Sequence, residues 1–166
     1  LSDFGRGGPF LENFVLPSNN PDNSEKYYSF EYGNAKFIAL DTAISFIIPG
    51  GPQHRWLVDE LQKPRPDWLF VYFHHPMYST GKHGSDYVIR YLVGPRFARA
   101  GVDVVFNGPD HNYERPQPLE DFYRGGRGVV YGGGRAVPGP HEAEEDPLCL
   151  RFAEPGVLEP DPVPLP

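Results

Sequence analysis

Two short polar segments of the chain carry histidines, and each segment follows an apolar run. The first, His74-His75-Pro76-Met77-Tyr78, comes directly after the apolar residues 68–73. The second, residues 107–115, reads Asn-Gly-Pro-Asp-His-Asn-Tyr-Glu-Arg and follows the apolar residues 102–106. Imidazole nitrogens bind transition metals, and they exchange protons near neutral pH. The two segments therefore indicate a site for a metal ion or a phosphate group.

His74 and His111 are the imidazoles that could converge on one ion. A histidine after a buried strand is also a common hydrogen-bonded structural residue, so each one alone is a weak signal. A catalytic metal ion usually has three or more protein ligands, so two histidines do not complete its site. The single cysteine, Cys149, excludes an internal disulfide and a cysteine-based zinc site.

The pattern of apolar residues predicts the elements that must position these histidines. Strands are predicted at residues 27–32, 35–40, 68–73, 102–106 and 128–131, and Gly33-Asn34 predicts a hairpin between the first two. Helices are predicted at residues 52–62 and 87–100, the second interrupted at Pro95. This order of elements indicates a layered α/β domain. Ligands of open α/β sheets bind beyond the carboxyl ends of the strands, where both histidine segments lie.

Composition excludes several classes of protein. The 166 residues are 39% hydrophobic, which supports a core. Fifteen Lys and Arg stand against 22 Asp and Glu, a net charge of −7, which argues against electrostatic coating of nucleic acid or of an anionic membrane. No apolar run approaches the roughly 18 residues of a membrane-spanning helix. We therefore expect neither a nucleic-acid partner nor a membrane partner.

The composition changes from Pro138 onward. The last 29 residues contain eight prolines, seven acidic residues and one basic residue, Arg151. Such a segment buries too little apolar surface to order itself. We therefore predict a domain over residues 1–137 and an extended tail, rich in proline and acidic residues, over residues 138–166.

The order of the motifs resembles the calcineurin-like metallophosphoesterases, specifically their purple acid phosphatase branch. The resemblance runs from about residue 13 to residue 136. It is carried by residues 27–35, residues 37–42, the helix with Gln53, the segment 74–78, and Gly108-x-Asp110-His111-Asn112-Tyr113-Glu114-Arg115. The last motif is similar to the family's Gly-His-x-His-x-Tyr-Glu-Arg signature.

The resemblance implies half of a layered α/β/β/α sandwich that holds two metal ions between its halves and hydrolyses phosphomonoesters. By resemblance, His74 and His111 would bind metal (Fe, Zn, Mn or Mg), and His75 is a weaker candidate. His83 would bind the substrate phosphate and protonate the leaving group. Tyr113, Glu114 and Arg115 would shape their loop rather than react. Proteins of this branch are commonly exported.

Two departures from the family pattern limit what we expect of this chain. Pro109 stands where the signature has its first histidine, and proline offers no side-chain donor or acceptor. The family's other ligands come from Asp-x-His, Gly-Asp-x-x-Asp/Tyr and Gly-Asn-His-Glu/Asp motifs, and the sequence contains none of them. We therefore expect the C-terminal part of a catalytic domain, inactive alone, which self-associates through its exposed half-sandwich face.

The sequence leaves two other functions to compare with this one. Pro109 also fits a non-catalytic relative, a binding or scaffold module with a degenerate metal site. An unrelated Ser or Cys hydrolase is disfavoured, because the chain lacks a Gly-x-Ser-x-Gly elbow and Cys149 lies in the predicted tail.

Overall fold

The computed structural model of the chain describes residues 13–45 and 47–108, Glu114, and residues 119–120, 123–124 and 130–133. It divides into two units, residues 1–74 and residues 75–166. The predicted tail, residues 138–166, lies outside the described residues, and the predicted boundary at residue 137 stays a prediction.

The first unit contains a mixed three-stranded sheet. Strand β1 (Tyr28–Tyr32) pairs antiparallel with β2 (Ala35–Ala39), and β2 pairs parallel with β3 (Trp68–Tyr72). The hairpin predicted at Gly33-Asn34 is confirmed, and Gly33 has a φ of 58°, a left-handed conformation that glycine adopts without steric cost.

One face of this sheet packs on helix α1 (Pro52–Gln62), whose bounds are those predicted. Successive side chains of a strand point to opposite faces, so Ile38 and Val71 lie on this face together, both fully buried. Trp56 and Leu57 are the buried apolar residues of α1. Burying these side chains removes apolar surface from water, which is the main force that holds the helix on the sheet.

The opposite face of the same sheet carries a ladder of aromatic rings. Phe37 lies between Phe30 and Phe70, with ring centroids 4.9 Å and 5.1 Å away. The Tyr72 hydroxyl donates to the Tyr28 hydroxyl at 2.9 Å. We call this surface the aromatic face. Its members are Tyr28, Phe30, Tyr32, Ala35, Phe37, Ala39, Trp68, Phe70 and Tyr72.

A buried ion pair joins α1 to the sheet. Lys36 Nζ lies 2.9 Å from Glu60 Oε1, and the two residues are 3% and 4% exposed. Ser29 Oγ donates to Glu60 Oε1 at 2.7 Å, and Lys63 also pairs with the carboxylate. Burial alone would raise the pKa of Glu60, but the hydrogen bonds from Lys36, Lys63 and Ser29 outweigh it and hold the pKa below its ordinary value.

The second unit contains helix α2 (Tyr87–Ala100) and strand β4 (Val104–Asn107), which pairs parallel with a strand at Val130–Gly133. Two-residue strands β5 (Leu119–Glu120) and β6 (Tyr123–Arg124) form an antiparallel pair that the sequence pattern missed, and Val130–Gly133 is therefore β7. Asp86 caps α2 by accepting from Ile89 N at 2.9 Å.

The predicted interruption of α2 at Pro95 is wrong, because the helix runs through this residue without a break. Inside a helix, a proline removes one backbone hydrogen bond and clashes with the carbonyl four residues earlier. Its ring also clashes with the N–H and Cβ of the residue before it. Here that residue is Gly94, which has no Cβ, so part of the usual steric penalty is absent.

We predict that Lys36→Met lowers the free energy of unfolding by about 3 kcal/mol, because it leaves the buried Glu60 carboxylate without one of its charged partners. Lys63→Met is the matched control. Its side chain is 57% exposed, so its loss costs below about 1 kcal/mol. Urea unfolding at pH 7 measures both, and equal midpoints for the two variants would contradict the prediction.

The difference in the free energy of unfolding between wild type and Lys36→Met depends on pH. The pKa of Glu60 is lower in the folded protein than in the unfolded chain, where it is about 4.3. The ionised carboxylate therefore contributes its full stabilisation above about pH 4.3, and this contribution is lost as the pH falls through the pKa of the folded protein. The difference between wild type and Lys36→Met should therefore narrow below about pH 4.

Candidate active site

His74 lies at the carboxyl end of β3, two residues after Tyr72, and its side chain is exposed. The apolar strand ends where the polar segment begins, so the chain leaves the sheet at this histidine. The location is the one expected for a ligand-binding residue of an α/β sheet.

The residues that follow, 75–86, form a segment of the second unit that we call the histidine loop. Three hydrogen bonds anchor its first residues. Asn107 Nδ2 donates to His75 O at 3.1 Å, Asp86 N donates to Pro76 O at 2.7 Å, and Arg90 Nε donates to Met77 O at 2.7 Å. The start of the loop is therefore held by the end of β4 and by the first turn of α2.

Arg90 is a buried cation, 7% exposed, at the base of this loop. Its guanidinium carbon lies 3.9 Å from the ring centroid of Tyr78 and 4.8 Å from that of Tyr87. Cation–π attraction and the hydrogen bond to Met77 O together stabilise the charge away from water. Arg90 therefore holds the buried start of the loop at Met77.

His83 lies at the exposed tip of the histidine loop. Residues 76–81 are buried, whereas Lys82 and His83 are exposed. Gly84 closes the turn by donating from N to Gly81 O at 3.0 Å, with a φ of 66°. The loop thus presents one imidazole to solvent on a buried base, as a residue that contacts substrate requires.

Glu114 belongs to the second histidine segment, and it binds the histidine loop. Its carboxylate accepts from Thr80 N at 3.0 and 3.1 Å through its two oxygens, and Oε1 also accepts from Thr80 Oγ1. The side chain is 4% exposed. The family resemblance implied that Glu114 shapes its loop, but Thr80 was not predicted as its partner.

Asp41, just beyond β2, is another carboxylate at the end of a strand, but its oxygens hold the following turn. Oδ1 accepts from Ala43 N and Ile44 N at 3.0 and 2.8 Å, and Oδ2 accepts from Ser45 N at 2.8 Å. Gln53 completes the turn, donating to Asp41 O at 2.9 Å and accepting from Asp41 N at 2.8 Å. Asp41 and Gln53, which both lie in segments that carry the family resemblance, therefore have structural partners.

The described residues do not supply the ligands of a two-metal centre. Within the part of the chain that the structure describes, no three His, Cys, Asp or Glu side chains are grouped so that they could hold a metal ion. His111 and Pro109 lie outside the described residues. The convergence of His74 and His111 on one ion therefore stays a prediction.

Three anchors of the histidine loop were not predicted as such from the sequence, namely Arg90, Asn107 and the Glu114–Thr80 pair. Arg90 had one available signal, a charged residue at a position of α2 that helical spacing assigns to the buried face. Its partners are a backbone carbonyl and two rings, and residue spacing does not reveal such partners.

Comparison with known proteins assigns the family. The sequence model of the calcineurin-like phosphoesterases matches residues 4–113. Purple acid phosphatase 21 of Arabidopsis thaliana is 32% identical over 143 residues, which cover 80% of this chain and 30% of the relative. The Fe(3+)-Zn(2+) purple acid phosphatase 12 of the same plant is 32% identical over 120 residues, covering 69% and 25%.

A solved structure shows the fold. The purple acid phosphatase PPD1 from yellow lupin seeds superposes with a TM-score of 0.65 at 22% identity, over 85% of this chain and 28% of that chain. The mixed strands and helices described above are thus those of a metallophosphoesterase-like α/β fold, which confirms the predicted fold class.

The chain belongs to the calcineurin-like phosphoesterase family, a family of phosphatase hydrolases with purple acid phosphatases among its members. It spans about a quarter to a third of the length of the curated relatives compared here. Among the described residues, no helix has the length and apolar character needed to cross a membrane.

Proposed function

We propose that residues 1–166 form the histidine-bearing part of a metal-dependent phosphoesterase that hydrolyses phosphomonoesters. Membership of the family and the similarity to purple acid phosphatases support the reaction class. The observation that carries the proposal is the exposed His83 at the tip of a loop whose base is buried and anchored.

We assign to His83 the role of binding the substrate phosphate and protonating the leaving oxygen. An imidazole N–H can donate a hydrogen bond to a phosphate oxygen, and the protonated ring can deliver a proton to the leaving oxygen. The exposed tip lets the imidazole reach a substrate, while the anchored base fixes where it points. General acid catalysis of this kind contributes roughly 10²–10⁴-fold in rate.

His74 and His111 are our proposed metal-binding residues, and His75 is a weaker candidate. The metal pair of the intact protein would come from Fe, Zn, Mn or Mg, and the Fe(3+)-Zn(2+) relative supports the first two. Two ions need roughly six or seven ligands or shared ligands. Two histidines fall far short, so we infer that residues 1–166 alone bind metal weakly and do not turn over substrate.

Hydrolysis of p-nitrophenyl phosphate in the presence of Zn, Fe or Mn tests whether activity requires more than residues 1–166. Protein expressed from the full open reading frame should show metal-dependent turnover, and the isolated residues 1–166 should show none. In the longer protein, His74→Ala should lower kcat/KM for p-nitrophenyl phosphate by about a hundredfold or more. His83→Ala should cause a loss of that size with an alkyl phosphate, whose leaving oxygen must be protonated.

His54→Gln is the control, because His54 Nδ1 accepts from Gly50 N at 3.2 Å at the start of α1 and has no assigned part in the reaction. Metal-dependent turnover by the isolated chain would refute its assigned inactivity. Full activity of His83→Ala with the alkyl phosphate would refute the role given to that imidazole.

One residue favours a second function. Pro109 removes a ligand from the family signature, which fits a binding or scaffold module that has lost its metal site. In that case the fold and the loop anchors persist without chemistry.

We predict that Pro109→His in the full open reading frame raises the bound metal measured by elemental analysis, because it adds an imidazole two residues before His111. Pro109→Ala is the control, since it removes the proline without adding a ligand. Metal content that is equal in all three proteins would show that position 109 does not limit binding.

For the isolated chain, we propose that a second copy covers the exposed part of the aromatic face, around Phe30, Tyr32 and Trp68. Phe30, Tyr32 and Trp68 are 39%, 81% and 49% exposed, and none of the nine residues of this face is charged. Two such faces can meet without desolvating a charge, and contiguous exposed apolar surface promotes association.

Trp68→Ser combined with Tyr32→Ser should shift the weight-average mass of the isolated chain toward the 18.7 kDa monomer. Glu31→Ser is the matched control, because Glu31 lies on β1 but points to the opposite face. Sedimentation velocity measures all three proteins. A monomeric wild type at every concentration would contradict the proposal.

A further inference from the structure

We propose that Glu114 is a positioning residue, which holds the histidine loop so that the His83 imidazole points toward the substrate. The inference rests on the role proposed for His83 above. Glu114 itself contacts Thr80 of the loop rather than the reacting atoms.

The contact has the properties of an anchor. Both carboxylate oxygens of Glu114 receive the Thr80 backbone N–H, and the Thr80 hydroxyl donates to one of them. Glu114 and Thr80 are 4% and 3% exposed, so water competes little for these hydrogen bonds. Hydrogen bonds to an ionised acceptor are roughly twice as strong as neutral ones.

The anchor acts close to the imidazole. Only Gly81 and Lys82 separate Thr80 from His83. Gly81 N donates to Ser79 Oγ at 2.9 Å, and Ser79 N donates to Ser85 Oγ at 3.0 Å, so the two sides of the tip are joined within the loop. A displacement of Thr80 therefore moves the whole tip.

Other anchors described for this loop act further from its tip. Asn107 and Arg90 bind the backbone at His75 and Met77, which are eight and six residues before His83. Without Glu114, the base of the loop stays attached while the tip loses its connection to the second histidine segment. A misplacement of about 1 Å can lower a rate by roughly a hundredfold.

Leaving-group dependence separates positioning from general structural support. A p-nitrophenolate leaves without much help from an acid, whereas an alkoxide must be protonated as it leaves. In the metal-loaded protein from the full open reading frame, Glu114→Ala should lower kcat for an alkyl phosphate by about a hundredfold. For p-nitrophenyl phosphate the loss of kcat should stay within a few fold. KM should rise for both substrates, because His83 is also the residue proposed to bind the phosphate.

Two milder variants guard against a protein that fails to fold. Glu114→Gln keeps a carbonyl acceptor and should recover part of the alkyl phosphatase activity that Glu114→Ala loses. Thr80→Val removes only the hydroxyl donor, and its kcat for the alkyl phosphate should lie between those of Glu114→Gln and Glu114→Ala. Glu31→Ala, an exposed carboxylate on β1, is the control and should match wild type. Combined with His83→Ala, Glu114→Ala should add almost no further loss, because both changes remove the same contribution.

Hydrogen exchange provides a readout that does not need activity. Glu114→Ala should speed exchange at residues 79–85 and leave residues 52–62 of α1 unchanged. Unchanged exchange at 79–85 would overturn the inference. Faster exchange with equal losses for both substrates would also overturn it, since Glu114 would then be only structural. A wild type without phosphatase activity would refute the proposed function, and the anchor would still be decided by the exchange rates.

Discussion

The histidine loop depends on one constraint, that a buried polar group must find a hydrogen-bonding partner. Residues 76–81 lie in the interior, where unpaired backbone groups would each cost free energy. Arg90 meets the carbonyl of Met77, and Glu114 meets the N–H of Thr80. These side chains replace the partners that a strand or helix would supply. The buried part of the loop is therefore held by hydrogen bonds to its backbone, as a helix or strand is, while the tip of the loop is exposed to water.

The first unit satisfies the same constraint with a charge pair. Lys36 and Glu60 are buried together, and the hydrogen bond from Ser29 occupies the same carboxylate oxygen. A buried pair of this kind contributes little net stability compared with an apolar pair, but removing one partner is costly. The three side chains connect α1 to both β1 and β2, because Ser29 lies on β1, Lys36 on β2 and Glu60 on α1.

Local signals in the sequence predicted most of the fold. Alternation and apolar runs located β1 to β4, and the bounds of α1 were predicted without error, because Pro52 marks its first turn. The path of α2 through Pro95 was not predicted, since a proline inside a helical pattern usually interrupts the helix. Strands β5 and β6 have two residues each, too few for a periodic pattern. The contact between Glu114 and Thr80 spans 34 residues, and residue types alone do not reveal such pairs.

The second histidine segment contains two kinds of residue, namely His111, which we propose binds metal, and Glu114, which anchors a neighbouring loop. In the family signature, histidines bind metal, whereas Glu114 of this chain anchors a neighbouring loop. Pro109 changes a position of the first kind and leaves the anchor in place. Folding and chemistry therefore impose separate requirements on adjacent residues. The hydrogen bonds of Glu114 and Gln53 join parts of the chain without involving a metal ligand, so the fold around them does not require the ligand set to be complete.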